Sequence, residues 1–287
     1  MTPRKKVLPT FNAVSSGQTA TCDLPVGALY HGIELNAGDA NGLVIGSLIT
    51  EIRVKLNGKV QRVHTPAQLN AMNGVNGADF LFKTSGTLGN SAYRTYLPIF
   101  FAEPWRDDRA QRKAGTWNVT AEDVRSFQLE VDFAAVTTPV ISGSYWYEPP
   151  RSGGIGLIQK VIQQTQAAVG TVQDFNTLDR RDLLQAIHLF ATTDATPRYV
   201  NKLKLTANGV EIQDLITTLE NQAILLWNEM NPDTSATPRF DLILDLDDGI
   251  DSWLPLNGLS ELTVHVEYNL SAAANMVMLI VRVGPPE

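Results

Sequence analysis

Ile52-Arg53-Val54-Lys55-Leu56-Asn57-Gly58-Lys59-Val60 is the stretch whose reading decides the fold of this chain. Apolar and charged residues alternate up to an Asn-Gly pair, and extended chain then resumes. Period-two alternation places Ile52, Val54 and Leu56 on one face of a strand and Arg53 and Lys55 on the other. Asn-Gly readily takes the positive φ of a tight turn, so the stretch predicts a β-hairpin. The arrangement returns 151 positions later as Leu203-Lys204-Leu205-Thr206-Ala207-Asn208-Gly209-Val210-Glu211.

The echo extends in both directions. Leu24, Leu29, Tyr30, Ile33 and Leu35 align with Leu178, Leu183, Leu184, Ile187 and Leu189 at a shift of 154. Phe127, Leu129, Val131 and Phe133 align with Leu262, Val264, Val266 and Tyr268 at a shift of 135. Between them Leu97, Ile99 and Phe100 fall on Asp241, Ile243 and Leu244, a poorer match. Order is kept while the shift shrinks, as it must if the second copy has shorter loops. A repeat of this kind is sought before any fold is named, and it predicts two tandem copies of one β-domain. About eight short strands per copy suggest jelly-roll sandwiches. The fold expected is therefore all-β with a few short helices, residues 1–150 forming one jelly roll and 151–287 a linker helix and a second.

Local signals fill in this frame. Thr65-Pro66-Ala67-Gln68 has a capping residue, a proline in the first turn and Gln three residues on, which predicts a short helix to about Met72. The corresponding stretch of the second copy, Leu215 to Met230, also reads as helical. Leu157, Ile158, Val161, Ile162, Ala168 and Val169 form one face of a predicted linker helix, with glutamines on the other. Pro98 puts the strand Tyr96 to Phe101 near a sheet edge. Residues 73–95 read as a surface loop, and the mixed charges of Glu103 to Lys113 as a solvated one.

Composition narrows the function classes. A 287-residue chain with 44% hydrophobic and 18% charged residues can bury a sizeable core. No apolar run approaches the roughly 20 residues that span a bilayer. No apolar segment follows Arg4, Lys5 and Lys6, so the start does not read as a secretory signal. A net charge of −7 argues against a surface that coats nucleic acid. Cys22 is the single cysteine, which excludes an intrachain disulfide, and it reads as a buried thiol.

Chemistry is sparse. His31, His64, His188 and His265 lack metal-ligand spacing. Alternation puts His188 and His265 opposite their apolar neighbours, which predicts surface positions. Asp245, Asp247, Asp248 and Asp251 are weak calcium candidates, because glycine stands at 249 where an EF-hand loop would supply a ligand. Gly153-Gly154-Ile155-Gly156 lacks the spacing of a nucleotide fingerprint. Asn118-Val119-Thr120 and Asn269-Leu270-Ser271 fit the glycosylation pattern and are read as accidental. No catalytic residue and no cofactor is assigned.

Leu24-Pro25-Val26-Gly27 leading into Ile33–Leu35, followed by Ile52-x-Val54-x-Leu56-Asn57-Gly58, resembles the N-terminal domain of corticovirus-type major capsid proteins. These coat tailless icosahedral bacteriophages with an internal membrane. The resemblance runs over nearly the whole chain and rests on the order and duplication of its short apolar motifs. It implies a non-enzymatic virion capsid protein that assembles as a homotrimer of six jelly rolls. Such pseudo-hexagonal capsomers tile a shell, meeting each other and penton and minor capsid proteins. It places Arg4, Lys5 and Lys6 toward the interior and its anionic membrane, and it gives no sequence-specific nucleic-acid partner. The alternative is a two-domain β-sandwich carbohydrate-active or carbohydrate-binding protein, which would gather aromatic residues and carboxylates in one cleft.

Overall fold

The computed structural model describes residues 3–39, 45–78, 95–106, 111–113, 115–120, 122–135, 138–167, 170–191, 199–235, 238–246, 252–272 and 275–287. Contacts divide the chain into two units, Met1–Val161 with Gly284–Glu287, and Ile162–Val283.

The first unit contains β1 (Arg4–Val7), β2 (Thr19–Leu24), β3 (Ala28–Asp39), α1 (Ile45–Leu48), β4 (Ile49–Leu56) and β5 (Lys59–His64). There follow α2 (Pro66–Val75), β6 (Thr95–Phe100), β7 (Trp117–Val119), β8 (Phe127–Phe133) and β9 (Pro139–Glu148), and β10 (Ile158–Ala167) begins in this unit. One antiparallel sheet runs β1-β9-β3-β6, with β7 also on β3. The other runs β2-β8-β4-β5. Alternation does what the sequence demands of it. Ile52, Val54 and Leu56 of β4 and Phe127, Leu129, Val131 and Phe133 of β8 all enter the core, where they meet Tyr30, Ile33 and Leu35 of β3. Trp117 stacks on Phe101 at 4.3 Å between ring centroids and lies 5.9 Å from Phe127, whose ring meets Tyr30 edge-on at 4.9 Å. Aromatic contacts thus join the two sheets. On the outer face Arg53 forks to Asp132 at 2.7 Å and reaches Glu130 at 2.9 Å, which explains the charged positions of the alternation.

The second unit contains β11 (Gly170–Phe175), β12 (Leu183–Ala191), β13 (Val200–Ala207), β14 (Val210–Thr217), α3 (Thr218–Trp227), β15 (Phe240–Ile243), β16 (Leu254–Pro255), β17 (Leu262–Ala272) and β18 (Asn275–Gly284). Its sheets run β11-β17-β13-β14 and β15-β12-β18, with β16 also on β12. The chain order of the first unit's pairings is therefore repeated, and each unit is a jelly roll: the protein is a double jelly roll. Leu203, Leu205, Val264, Val266 and Tyr268 occupy the second core as their counterparts occupy the first. The poorer match of Leu97–Phe100 with Asp241–Leu244 still pairs corresponding strands, β6 with β15.

The repeat reaches atomic detail at the hairpins. Asn57 and Asn208 have φ of 51° and 49°, followed by Gly58 at 78° and Gly209 at 77°, the two positive values a type I′ turn requires. Asn57 Oδ1 accepts from the backbone N–H groups of Arg125 at 2.7 Å and Ser126 at 3.3 Å, and its Nδ2 donates to the Asp123 carbonyl. Asn208 Oδ1 likewise accepts from the N–H groups of Ser260 and Glu261, at 2.8 and 3.0 Å. Each asparagine ties its turn to the chain entering β8 or β17. Asn57→Ala is expected to cost roughly 2 kcal/mol in a urea melt, combining lost hydrogen bonds with a strained left-handed alanine. Asn57→Gly, which relieves only the strain, should fall between alanine and the native residue.

Both helices open with the same device. Thr65 and Gln68 form a capping box on α2, and Thr217 and Glu220 form one on α3. The second helix nevertheless starts later than its apolar pattern suggests. Leu215 and Ile216 belong to β14, because Ile216 pairs with Leu203 as His64 pairs with Ile52.

The predicted linker helix is absent. Ile158–Ala167 is strand β10, with Val161 opposite Arg62 in parallel register. Apolar residues at 157, 158, 161 and 162 span less than two helical turns and are followed by the polar run Gln163 to Gln166. With no capping residue at the Gly-rich entry and with β-branched Val161, Ile162 and Thr165, the segment gains more from adding to a sheet edge than from an isolated helix. Pro98 does mark an edge, since β6 ends its sheet. The 73–95 loop reading holds only in part: α2 extends to Val75, and residues 79–94 lie outside the described residues.

Candidate assembly surfaces

Among the described residues, those singled out for chemistry do not converge on one site. His31 is buried 3.6 Å from Glu148, and burial lowers its pKa against the opposing pull of that carboxylate. His64 is fully buried on β5, and neither ring nitrogen has a partner beyond its own residue among the described residues. Burial, with the Arg62 guanidinium alongside, pushes it down to about 3. His188 corrects the surface expectation, being only 3% exposed. Its face of β12 is covered: Nδ1 lies 2.7 Å from Asp241 Oδ1, which also accepts from Arg239 Nε at 2.5 Å, and Asn221 of α3 donates to the Asp241 carbonyl. Burial alone would raise the Asp241 pKa, but these donors outweigh it and keep the carboxyl ionised. The carboxylate can only accept, so His188 Nδ1 carries the proton. His265 is half-buried, with Nδ1 2.6 Å from Asp174.

Asp245 is buried and accepts from Gln185 Nε2 at 3.1 Å, while Asp247, Asp248 and Asp251 lie outside the described residues. Among the described residues no group of three or more His, Cys, Asp or Glu could hold a metal ion. Cys22 is buried as expected, its thiol pushed up to about 11 by burial. Asn118 is also buried, its Nδ2 donating to the carbonyls of Arg151 and Gly153, so this sequon serves as a clamp on the chain leaving β9.

The charged run is not wholly solvated. Arg106 and Glu103 are buried and paired at 2.8 Å, Lys113 binds Glu148 at 2.6 Å, and residues 107–110 lie outside the described residues. Arg62 is buried deeper still. Its guanidinium donates to the carbonyls of Phe100 at 2.5 Å and Gln159 at 3.0 Å, beneath the rings of Phe101 and Trp117. Even pushed down to about 9 by burial it remains charged at neutral pH.

Three surface features remain. Arg4, Lys5 and Lys6 lie on β1, an exposed strand in register with Tyr147, Trp146 and Tyr145 of β9. Lys5 binds Glu34 at 3.0 Å and lies over the Trp146 ring, whereas the Arg4 and Lys6 side chains are exposed. Nearby is a concavity of about 200 Å³ lined by Ile33, Pro98, Phe100, Pro104, Trp146 and His31. Among the described residues no carboxylate lines it. Finally, α3 exposes Leu219, Ala223, Leu226 and Trp227, a stripe at i, i+4, i+7 and i+8. The spacing was legible in the sequence, but a second apolar face on a helix cannot be told from its core face before the fold is known.

A structural protein spreads its work over such surfaces, and the comparisons agree. Residues 5–147 match the viral coat protein P2 N-terminal domain, and residues 158–285 match its C-terminal domain. The chain belongs to the viral coat protein P2 family. It is thus a major capsid protein, and its place is the virion capsid.

Solved structures share the fold of this coat protein at low identity. The major capsid protein P2 of bacteriophage PM2 is 15% identical with a TM-score of 0.78, over 98% of this chain and 97% of that one. A chain of Sulfolobus Turreted Icosahedral Virus is 11% identical with a TM-score of 0.71, covering 99% and 91%. The PBCV-1 virus capsid chain is 9% identical with a TM-score of 0.66, covering 98% and 94%. No curated protein matches the sequence of this coat protein significantly.

Proposed function

We propose that three copies of this chain form a capsomer of nearly hexagonal outline, which tiles an icosahedral shell around an internal membrane. The observation that carries the reading is the duplication itself. Two jelly rolls of the same strand order in one chain give a threefold assembly six similar lobes, and approximate hexagons fill a lattice. Closure of the ring also limits open-ended strand pairing between sheet edges. On this reading the chain has no enzymatic activity and needs no cofactor. Its partners are its own copies, neighbouring capsomers, and penton and minor capsid proteins. The exposed cations Arg4 and Lys6 would face inward, where anionic headgroups attract basic segments. Class averages of the purified assembly in the electron microscope should show threefold particles with six lobes. Twofold or fourfold particles would contradict the proposal.

A further inference from the structure

We infer that the exposed face of α3 is an intersubunit contact, covered in the assembly by the first unit of a second copy of this chain. The inference rests on the capsomer reading and names where one chain meets the next.

The two helices occupy the same place in the repeat. Each follows the second strand of its hairpin, each opens with a threonine capping box, and they align at a shift of 152, Thr65 on Thr217. Their exposure differs sharply. Along α2 only Ala67 is exposed, and Val75 at its end is 0% exposed. Trp227, the residue aligned with Val75, is 88% exposed. Leu226, aligned with the half-buried Gly74, and Ala223, aligned with the half-buried Ala71, are exposed too. The end of the helix is therefore covered in one copy of the fold and bare in the other, where Leu226 and Trp227 replace Gly74 and Val75 with larger apolar side chains, while Leu219 stands where Ala67 is exposed in the first copy.

Leu219, Leu226 and Trp227 together leave on the order of 400 Å² of apolar surface in water, given the area a large aromatic carries. A patch on the order of 400 Å² matches the largest that a typical monomer exposes, and such patches are often functional; it would supply about half of the roughly 800 Å² that each partner gives to a standard interface. A second copy is the occupant that the duplication specifies. In a closed ring the two kinds of unit alternate, so the face of a second unit that looks along the ring meets the first unit of the next chain. Such a contact joins different surfaces on the two partners, and it closes at three copies without leaving a free end.

The test compares native mass across a dilution series for the full-length protein and for Trp227→Asp, with Val210→Asp as a control at an exposed apolar residue outside the stripe. Trp227→Asp is expected to raise the dissociation constant about 100-fold or more while far-UV circular dichroism stays unchanged, and Val210→Asp to leave it as it was. Leu226→Cys gives a second readout that does not depend on weakening the assembly. Because Cys22 is buried, a maleimide would report residue 226 alone, reacting quickly in the dissociated chain and slowly in the assembly. Assembly of Trp227→Asp with the native constant, or equal labelling in both states, would overturn the inference and leave the capsomer reading standing. A native chain that never assembles would overturn the capsomer reading itself.

Discussion

The first unit should lose stability on mild acidification, beginning near pH 6.5 and well before its carboxylates titrate. His64 accounts for most of this. Its folded pKa of about 3 lies below the ordinary 6.5, so the unfolded chain binds the proton more readily than the folded one. Stability is therefore complete above pH 6.5 and is lost as pH falls, by about 1.4 kcal/mol per pH unit and by about 5 kcal/mol near pH 3. That is comparable to the whole stability of a small domain. His31, also lowered by burial, adds in the same direction. Lowered carboxylates such as Asp132, Glu130 and Glu148 contribute stability above their ordinary values and lose it only below about pH 4, so the two effects separate. The repeat supplies the diagnostic substitution. Ile216 occupies the position of His64 in the second unit and packs on that unit's core. His64→Ile is expected to match the native protein near neutral pH and to flatten the decline between pH 6.5 and 4.5 in urea melts. An unchanged slope would show that His64 is solvated or already paired.

Arg62→Ala should be among the most damaging single substitutions in the first unit, at roughly 3–5 kcal/mol. The loss has two parts. The carbonyls of Phe100 and Gln159 would be left buried without these donors, and the flat cation covering Phe101 and Trp117 would give way to a cavity. Arg62→Met separates them, since it restores most of the volume but none of the donors, and should recover about half of the loss. Arg62→Lys should not rescue, because an ammonium cannot reproduce the planar fork that reaches two carbonyls and the Gln159 side chain. Thermal melts of the three variants would read this order, and an alanine variant as stable as the native protein would refute it.

Much of this fold was legible in the residues. Alternation at Ile52–Leu56 and Phe127–Phe133 survives into the structure because each of these strands has one face on a core and one toward charge. Asn57-Gly58 and Asn208-Gly209 were legible because few other pairs accept two positive φ values in succession. The capping box at Thr65 was legible for a similar reason, being local chemistry between a side chain and nearby backbone. What the sequence hid depends on distant partners. Ile158–Ala167 reads as helical until the edge of β5 is available to receive it. His188 reads as exposed because alternation assigns a face but does not reveal what covers that face. Arg62 and Glu103 look like surface charges, and only the folded chain shows the carbonyls, rings and ion pairs that hold them inside.

The assembly surfaces were the least legible part. Trp227 and Leu226 look like core residues by composition, and it is their exposure beside the burial of Val75 that marks them out. A chain that tiles a shell carries its function on such faces, whereas the buried His31, His64, His188, Asp241 and Asp245 serve the interior of its jelly rolls.

Native mass spectrometry of the purified full-length protein tests the central claim most directly. The account predicts a stable species of three times the 31.4 kDa chain that persists at micromolar concentration. A monomer that stays monomeric as the protein is concentrated would contradict it.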